Sequence, residues 1–369
     1  MGPDERASSA TRHAERAATT FDSLQRAYYD GRSGLYRKRR RLGWRPFEVL
    51  WPFANAWAST CSLAAVPSPG AGSPDPGTRA AELLATRIPA LLRYAPRGER
   101  HADGPVGFGS TVHWPLWSPI SRRLWRAGTV YYDDNEWLAL ALVHQHHLYA
   151  GRDCLELARR IFAFVVTGWC DVSGWSRPGG IRWADARWSL GRNTCSNGPA
   201  AEVGAELFLL TGDRTYLDWA VRIYEWVHGA LVGEDGLYAD HLRPDGRVVP
   251  AIWSYNQGSM IGAGTLLYRA TGDGAYIDEA ARTAGASLGR YASLDVLVDE
   301  PPIFVAVYLR NLLLLDALRP DPRYRALARS YEAALWERHA GVPLRSSGVN
   351  ETVPLIAVES MLAGSAPHP

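Results

Sequence analysis

Two consecutive aspartates, Asp133 and Asp134, lie in the run YYDDNEWLALAL at residues 131–142. Adjacent carboxylates repel each other, so within a cleft one tends to stay ionised while the other is driven to hold a proton. Neighbouring carboxyl groups can lie roughly 5 Å apart when both point into a groove, close to the ~5–5.5 Å of retaining glycosidases and below the ~6.5–9.5 Å of inverting ones. The pair could therefore act as a nucleophile and a general acid in a double displacement on a glycoside. The simpler alternative is that one of the two caps a helix.

Other polar and aromatic side chains have the chemistry to contact a sugar. Amides near helix starts can bind hydroxyl groups or cap the helix, and an Asn within a helix is unfavourable unless it faces solvent or a lumen. Trp and Tyr combine a flat apolar face with a polar edge, and the chain has 15 Trp and 17 Tyr but only 8 Phe. The predicted substrate-binding residues are Asn55, Trp183, Asn197, Asp240, Tyr255, Asn256 and Gln257.

Composition argues against several function classes. The formal net charge of the 369-residue chain is +2, and the one basic run, at residues 37–41, is short, so we expect no nucleic-acid partner. The four cysteines are widely spaced, and three close histidines, His144, His146 and His147, lack the i, i+4 spacing of helical zinc sites. We therefore expect no metal and no cofactor. The polar N-terminal segment resembles neither a signal peptide nor a membrane span, which favours a cytoplasmic protein.

The apolar periodicity is helical almost throughout and predicts an all-α protein with a single domain over residues 1–369. A hairpin-like excursion is expected at residues 236–251, around Asp245 and Gly246. The predicted helical segments are 8–29, 46–65, 78–94, 133–149, 153–168, 197–211, 214–231, 256–270, 274–289, 302–318, 321–337 and 349–363.

A repeated pattern, Asp-x-x-Tyr-x-x-x-Ala, begins at Asp213, Asp273 and Asp321. In each copy the Asp is a candidate N-cap, and two copies follow a Thr-Gly stop, so the repeat is a helical hairpin. Six hairpins would give twelve helices, which a closed (α/α)6 barrel buries without an unpaired face; an open solenoid is the alternative. The long connections at residues 95–130 and 170–196 are expected to form groove walls, because long ordered loops are usually functional.

Several motifs, in order over nearly the whole chain, resemble glycoside hydrolase family 76, the endo-α-1,6-mannanases with an (α/α)6 barrel. They are WPFANA (51–56), YYDDNEW (131–137), GGIRW (179–183), RNTCSN (192–197), LFLLTGDRTYLDWA (207–220), WSYNQGSMIGAGTLLYRATGD (253–273) and IFVAVYLRNL (303–312). The resemblance implies that Asp133 is the nucleophile and Asp134 the general acid/base of a retaining hydrolase of α-1,6-linked mannosides. Family members are often secreted, and because no export signal is seen here, a shorter intracellular mannoside or a mannosylated lipid is the expected substrate of a monomeric enzyme.

Three alternatives stay open. A transglycosylase would differ only in resolving the intermediate with a sugar hydroxyl instead of water. A glycan-binding barrel would keep the groove without turnover. A helical prenyl-transfer enzyme would need an acid at the fifth position of a DDxxD run, where this chain has Trp137.

Overall fold

The computed structural model describes residues 3–38, 46–67, 76–94, 104–112, 128–339 and 348–364. Its helices, in chain order, are α1 (Pro3–Tyr28), α2 (Leu50–Ala64), α3 (Pro76–Leu84), α4 (Arg87–Leu91), α5 (Tyr132–Tyr149), α6 (Arg152–Val165), α7 (Thr194–Thr211), α8 (Arg214–Leu231), α9 (Ser254–Thr271), α10 (Gly274–Arg290), α11 (Leu294–Val298), α12 (Pro302–Leu318), α13 (Pro322–His339) and α14 (Val349–Leu362). All twelve predicted helical segments correspond to helices.

Six of these helices close a ring. Helix α2 packs on α5, α5 on α7, α7 on α9, α9 on α12, α12 on α14, and α14 returns to α2. Each ring helix carries an outer helix on its far side, which is the predicted (α/α)6 barrel. Five inner–outer pairs follow one another along the chain, whereas the sixth joins the N-terminal α1 to the C-terminal α14.

The inner and outer helices differ in how they are buried. All residues of α7 from Thr194 to Leu207 are buried, as befits a helix surrounded by protein. In the outer helix α6 the buried residues are Cys154, Ala158, Ile161, Phe162 and Val165, a single stripe at helical spacing. The inner helices can also pack very closely: a Cβ at Gly258 of α9 would lie 2.6 Å from the Cα of Tyr308 in α12.

The repeated aspartates begin three outer helices, as predicted. Asp213 and Asp273 accept backbone N–H bonds from Thr215 (3.0 Å) and Ala275 (2.9 Å), and Asp321 accepts one from Arg323 at 2.9 Å. Two of these caps follow a glycine with a left-handed backbone, Gly212 and Gly272, which ends the preceding inner helix.

The few strands are short. The strands β1 (Tyr29–Asp30) and β2 (Leu35–Tyr36) form one antiparallel hairpin. A second sheet has the order β3 (Arg192–Asn193), β4 (His241–Leu242) and β5 (Val248–Val249). The β4–β5 hairpin is the predicted excursion, and its pairing with β3, in which Asn193 faces His241, was not predicted.

The two ends of the chain are joined by a group that we call the seam cluster: His13 and Arg16 of α1, Glu332 and Trp336 of α13, and Glu359 of α14. The Glu359 carboxylate is fully buried, lies 2.6 Å from His13 Nδ1 and accepts a hydrogen bond from the Trp336 indole. Arg16 donates to Glu332 at 2.5 Å. The cluster joins α1 to α13 and α14, across more than 300 residues of sequence.

The structure also bears on three other predictions. The four cysteines are buried and unpaired. In the basic run, Arg37 pairs with Asp30, while residues 39–41 lie outside the described residues. None of the described helices is both long enough and apolar enough to cross a membrane.

Candidate active site

A cavity of about 710 Å³ opens at the end of the barrel where inner helices begin. The second residue of four inner helices lines it, and α12 contributes its third residue. These residues are Trp51 of α2, Asp133 of α5, Cys195 of α7, Tyr255 of α9 and Phe304 of α12. Five helix N-termini therefore converge on one space, and their dipoles favour a negative charge there.

Asp133 and Asp134 both line the cavity, and neither is the N-cap of α5, a position that Tyr131 holds. The Asp133 carboxylate accepts two hydrogen bonds: Oδ2 from the Trp183 indole N–H at 3.0 Å, and Oδ1 from the Asp134 backbone N–H at 2.9 Å. Burial raises the pKa of Asp133 to about 6, although both of these hydrogen bonds act to lower it.

The Asp134 carboxyl has a different environment. Among the described residues no donor contacts its side chain, and neither aspartate forms an ion pair. Burial, together with the charge of Asp133, raises the pKa of Asp134 well above its usual range. The two carboxyl groups are therefore unequal: Asp133 is held as a carboxylate by hydrogen-bond donors, while Asp134 holds a proton more strongly than a free carboxyl group does. These are the forms required of a nucleophile and a general acid.

Aromatic side chains form two walls beside the pair. On one side the Trp183 ring packs against Tyr131 and Trp188, at centroid distances of 4.8 and 6.0 Å. On the other side Phe304 stacks on Tyr255 at 4.1 Å and contacts Trp51 at 5.6 Å. Trp183 is 38% exposed and Trp188 57% exposed, so both residues keep surface that a ligand can reach. Flat apolar faces beside polar groups suit the rings of sugars.

The fourth residue of three inner helices fastens an incoming loop. Asn135 of α5 binds both backbone groups of Phe108, Asn197 of α7 those of Ile181, and Gln257 of α9 those of Tyr238. Each carboxamide also donates to the backbone carbonyl four residues earlier, so both N–H groups of each of the three amides bond to the backbone. These side chains position the loops that wall the cavity.

This finding corrects the predicted substrate-binding role of Asn197 and Gln257. Both are fully buried, lie outside the cavity lining and have both amide N–H groups bonded to the backbone. Asn256 is also fully buried and lies outside the cavity lining; neither of its carboxamide atoms has a partner among the described residues. Asn55 donates to the Trp51 carbonyl at 2.9 Å and lines a separate internal space of about 50 Å³. It faces the barrel interior, as expected, but below the main cavity.

The remaining predicted residues do line the cavity. They are Trp183, Tyr255 and Asp240, and the carboxylate of Asp240 lies 2.8 Å from Nδ1 of His241. The connection at residues 170–196 forms one wall, as predicted, and of the connection at residues 95–130 the described part contributes Ser110. Cys195 and Phe304 also line the cavity and were not predicted, although their places near the starts of inner helices match those of Asp133 and Tyr255.

One group among the described residues has the donor set for a metal ion: His13, Glu332 and Glu359 of the seam cluster. Their ligand atoms already bind one another, Arg16 and Trp336, so the group fits an ion-pair network better than a metal site. The three close histidines of α5 include two with identified partners, the Gly151 carbonyl for His146 and Glu206 for His147.

A family model and two curated relatives match parts of this chain in sequence. The family model described as glycosyl hydrolase family 76 matches residues 123–340. A mannan endo-1,6-alpha-mannosidase of Saccharomyces cerevisiae, DCW1, is 35% identical over 128 residues, which are 32% of this chain and 28% of the yeast protein. The DCW1 protein of Candida albicans is 31% identical over 129 residues, 32% of this chain and 27% of that protein. The chain thus aligns with little more than a quarter of the length of these relatives.

Solved structures share the fold over nearly the whole chain. The family 76 mannosidase Bt3792 of Bacteroides thetaiotaomicron superposes with a TM-score of 0.79 at 20% identity, covering 95% of this chain and 98% of that one. An inactive variant of the α-1,6-mannanase GH76A of Salegentibacter sp., in which two consecutive aspartates are replaced by asparagine, was solved with α-1,6-mannotriose. It superposes with a TM-score of 0.70 at 21% identity, covering 95% of this chain and 99% of that one.

Proposed function

The chain belongs to glycosyl hydrolase family 76, and from that premise we propose that it is a retaining glycoside hydrolase that cleaves α-1,6-linked mannosides with Asp133 and Asp134. The observation that carries the proposal is the asymmetric carboxyl pair in an aromatic-walled cavity. The names of the yeast relatives and of the Salegentibacter enzyme supply the linkage and the sugar.

The first step breaks the bond between the anomeric carbon and the glycosidic oxygen. Asp134 gives its proton to the departing oxygen, while the Asp133 carboxylate attacks the anomeric carbon and forms a glycosyl ester. The alcohol part of the substrate leaves, and Asp134 is now ionised beside a neutral ester. Asp134 loses the repulsion of the Asp133 charge at this point, so it is able to stay ionised.

In the second step Asp134 takes a proton from a water molecule, whose oxygen attacks the anomeric carbon and releases the Asp133 carboxylate. Two inversions leave the configuration of the sugar unchanged. Convergent helix N-termini favour the Asp133 carboxylate that is regenerated. No cofactor is needed for either step.

The substrate ring would lie between the two aromatic walls. Trp183 and Tyr255 offer faces for stacking, and the Asp240–His241 pair offers polar groups at the same level of the cavity. A carboxylate can accept two hydroxyl donors, which suits a sugar with adjacent hydroxyls. We place a mannose unit at this position.

The proposal is tested by incubating the purified protein with α-1,6-mannotetraose and identifying the products by mass spectrometry. Shorter mannosides from the wild type, with a loss of at least ~10³-fold in turnover for Asp133→Asn and for Asp134→Asn, are expected. Proton NMR during the reaction should show the α-anomer first. The β-anomer first would rule out double displacement.

The same experiment separates the alternatives. Products longer than the substrate would identify a transglycosylase, because a sugar hydroxyl then replaces water in the second step. Binding of mannotetraose by calorimetry without any product would favour a glycan-binding barrel. Cytoplasmic location and a monomeric state stay predictions, and gel filtration with light scattering tests the second.

A further inference from the structure

Among the described aromatic residues that line the cavity, Trp183 is distinguished by a side-chain hydrogen bond to one of the two aspartates. Its indole Nε1 lies 3.0 Å from Asp133 Oδ2, whereas the neighbouring Trp188 has no hydrogen bond to either carboxyl group among the described residues. An indole N–H can only donate, so its partner must be an acceptor oxygen. The contact therefore stabilises the ionised form of Asp133 and gives nothing to Asp134.

The backbone holds this indole in place. The Trp183 carbonyl accepts a hydrogen bond from the Tyr132 N–H at 3.0 Å, and Ala184 forms a β-bridge with Tyr131. On the other side the Ala184 N–H donates to Ser189 Oγ at 2.9 Å. The first turn of α5 and the loop that carries Trp183 are thus paired with each other, and the distance between the indole and Asp133 is fixed by main-chain contacts.

Other titratable groups surround Asp133, and one of them, the Cys195 thiol, also lowers the pKa of Asp133 by hydrogen bonding, though less than the Trp183 indole does. These groups are Asp134 and Glu136 on α5, Cys195 on α7, Tyr255 on α9 and Asp240 with His241 beside β4. Among the described residues no Lys or Arg forms an ion pair with the Asp133 carboxylate, so neutral hydrogen-bond donors, and not a cation, stabilise its negative charge. The Asp134 backbone N–H would be present with any side chain, so among the described side chains Trp183 lowers the pKa of Asp133 most, ahead of Cys195.

We propose that Trp183 is a positioning residue whose indole N–H makes Asp133 the ionised member of the pair and orients its carboxylate toward the cavity. The inference rests on the proposed function for its catalytic meaning, but the contact itself exists without a substrate. It goes beyond a stacking role, because the N–H at the edge of the ring acts on Asp133 while the residue as a whole stays partly exposed. A sugar that stacks on Trp183 is thereby placed relative to the attacking oxygen.

The test compares Trp183→Phe with Trp188→Phe, since both keep an aromatic ring and lose only the indole and its N–H. Carboxyl ¹³C NMR of aspartate-labelled protein, with the Asp133 signal assigned through Asp133→Asn, follows its titration directly. Trp183→Phe should raise the titration midpoint of Asp133 by roughly one to two pH units, the size expected of a lost hydrogen bond to a charged group. Trp188→Phe should leave the midpoint where it is in the wild type.

A second measurement on the unsubstituted chain covers the case in which Trp183→Phe does not fold. The Trp183 indole N–H signal in ¹⁵N-labelled wild type should titrate with the same midpoint as Asp133, because protonation of the carboxylate weakens the bond. An indole signal that stays constant while Asp133 titrates, or equal midpoints in the wild type and Trp183→Phe, would overturn the proposal.

Kinetics then link the contact to turnover. In Trp183→Phe the acidic limb of kcat/KM on mannotetraose should move to higher pH with the Asp133 midpoint, and kcat should fall more than KM changes. A wild type without turnover but with the NMR shifts intact would reject the proposed function and keep the contact. A wild type with turnover and no difference between the two variants would reject the inference and keep the function.

Discussion

The cavity and the seam cluster both hold a pair of close, buried carboxyl groups, and the two pairs are built in opposite ways. In the seam cluster His13 and Arg16 surround Glu332 and Glu359 with cationic or protonatable partners. In the cavity Asp133 has two neutral donors, and Asp134 has no donor among the described residues. The seam pair is fully engaged in holding helices together, while the cavity pair has oxygen atoms free for another molecule.

The difference shows why an acidic pair alone does not identify an active site. Burial raises the pKa of Glu332 to about 7, with further contributions from its hydrogen bond to Glu359 and the charge of Glu359. That value resembles the value of about 6 for Asp133. A perturbed pKa thus occurs in both places, and the open cavity with unused acceptor atoms is what distinguishes the chemical site from the structural one.

The largest expected effect is on stability, and its sign differs between the two pairs. Glu359→Gln removes a buried negative charge that His13, Arg16 and Trp336 face, and should cost on the order of 3 kcal/mol of unfolding free energy. Asp133→Asn is the matched carboxyl-to-amide change, and it should leave stability equal or higher because it relieves a buried charge beside Asp134. Thermal unfolding at pH 7 measures both, and a loss of stability in Asp133→Asn as large as in Glu359→Gln would remove the distinction.

An intermediate effect is expected in the pH dependence of activity. The nucleophile must be ionised, so kcat/KM should fall about tenfold per pH unit below a midpoint near 6, the value to which burial raises the pKa of Asp133. Glu332→Gln is the control, because Glu332 has a similar pKa but lies outside the cavity. Its acidic limb should coincide with that of the wild type. A limb that moves in Glu332→Gln would mean that the seam cluster, and not Asp133, sets the profile.

Much of the fold could be predicted from sequence because the signals are local. Thr-Gly-Asp turns mark where inner helices end and outer helices begin, and the caps at Asp213 and Asp273 form within two residues of the aspartate. The sixth pair of helices could not be predicted in this way. Its contact between His13 and Glu359 spans 346 residues, and no local pattern reports which distant helices meet.

The site was predicted in part for a related reason. The aspartate pair is visible in the sequence because adjacent carboxylates repel each other, which makes the pair unusual for a purely structural role. Asn197 and Gln257 carry the same amide chemistry as a sugar-binding residue, but they are fourth in their helices and face the incoming loop. Tyr255 and Cys195 are second and face the cavity. The distinction depends on rotation about the helix axis and on where the loop returns, which residue type alone does not contain.

The smallest effect, counted per pH unit, is expected in the pH dependence of stability, where both pairs act in the same direction. Asp133 and Glu332 have pKa values raised above those of the unfolded chain, so the folded protein binds more protons than the unfolded one between about pH 4 and 7. Unfolding free energy should therefore fall as pH rises through this window, by at most about 1.4 kcal/mol per pH unit for each group. Carboxylates with lowered pKa values, such as Asp321, act in the opposite direction but only at lower pH.

Thermal midpoints between pH 5 and 7 should fall more slowly in the Asp133→Asn, Asp134→Asn double variant, and adding Glu332→Gln should flatten the remaining slope. The thermal midpoint of the wild type could instead rise across this window, with the same slope in the double variant. That result would show that the carboxylate charges of the two pairs do not destabilise the fold.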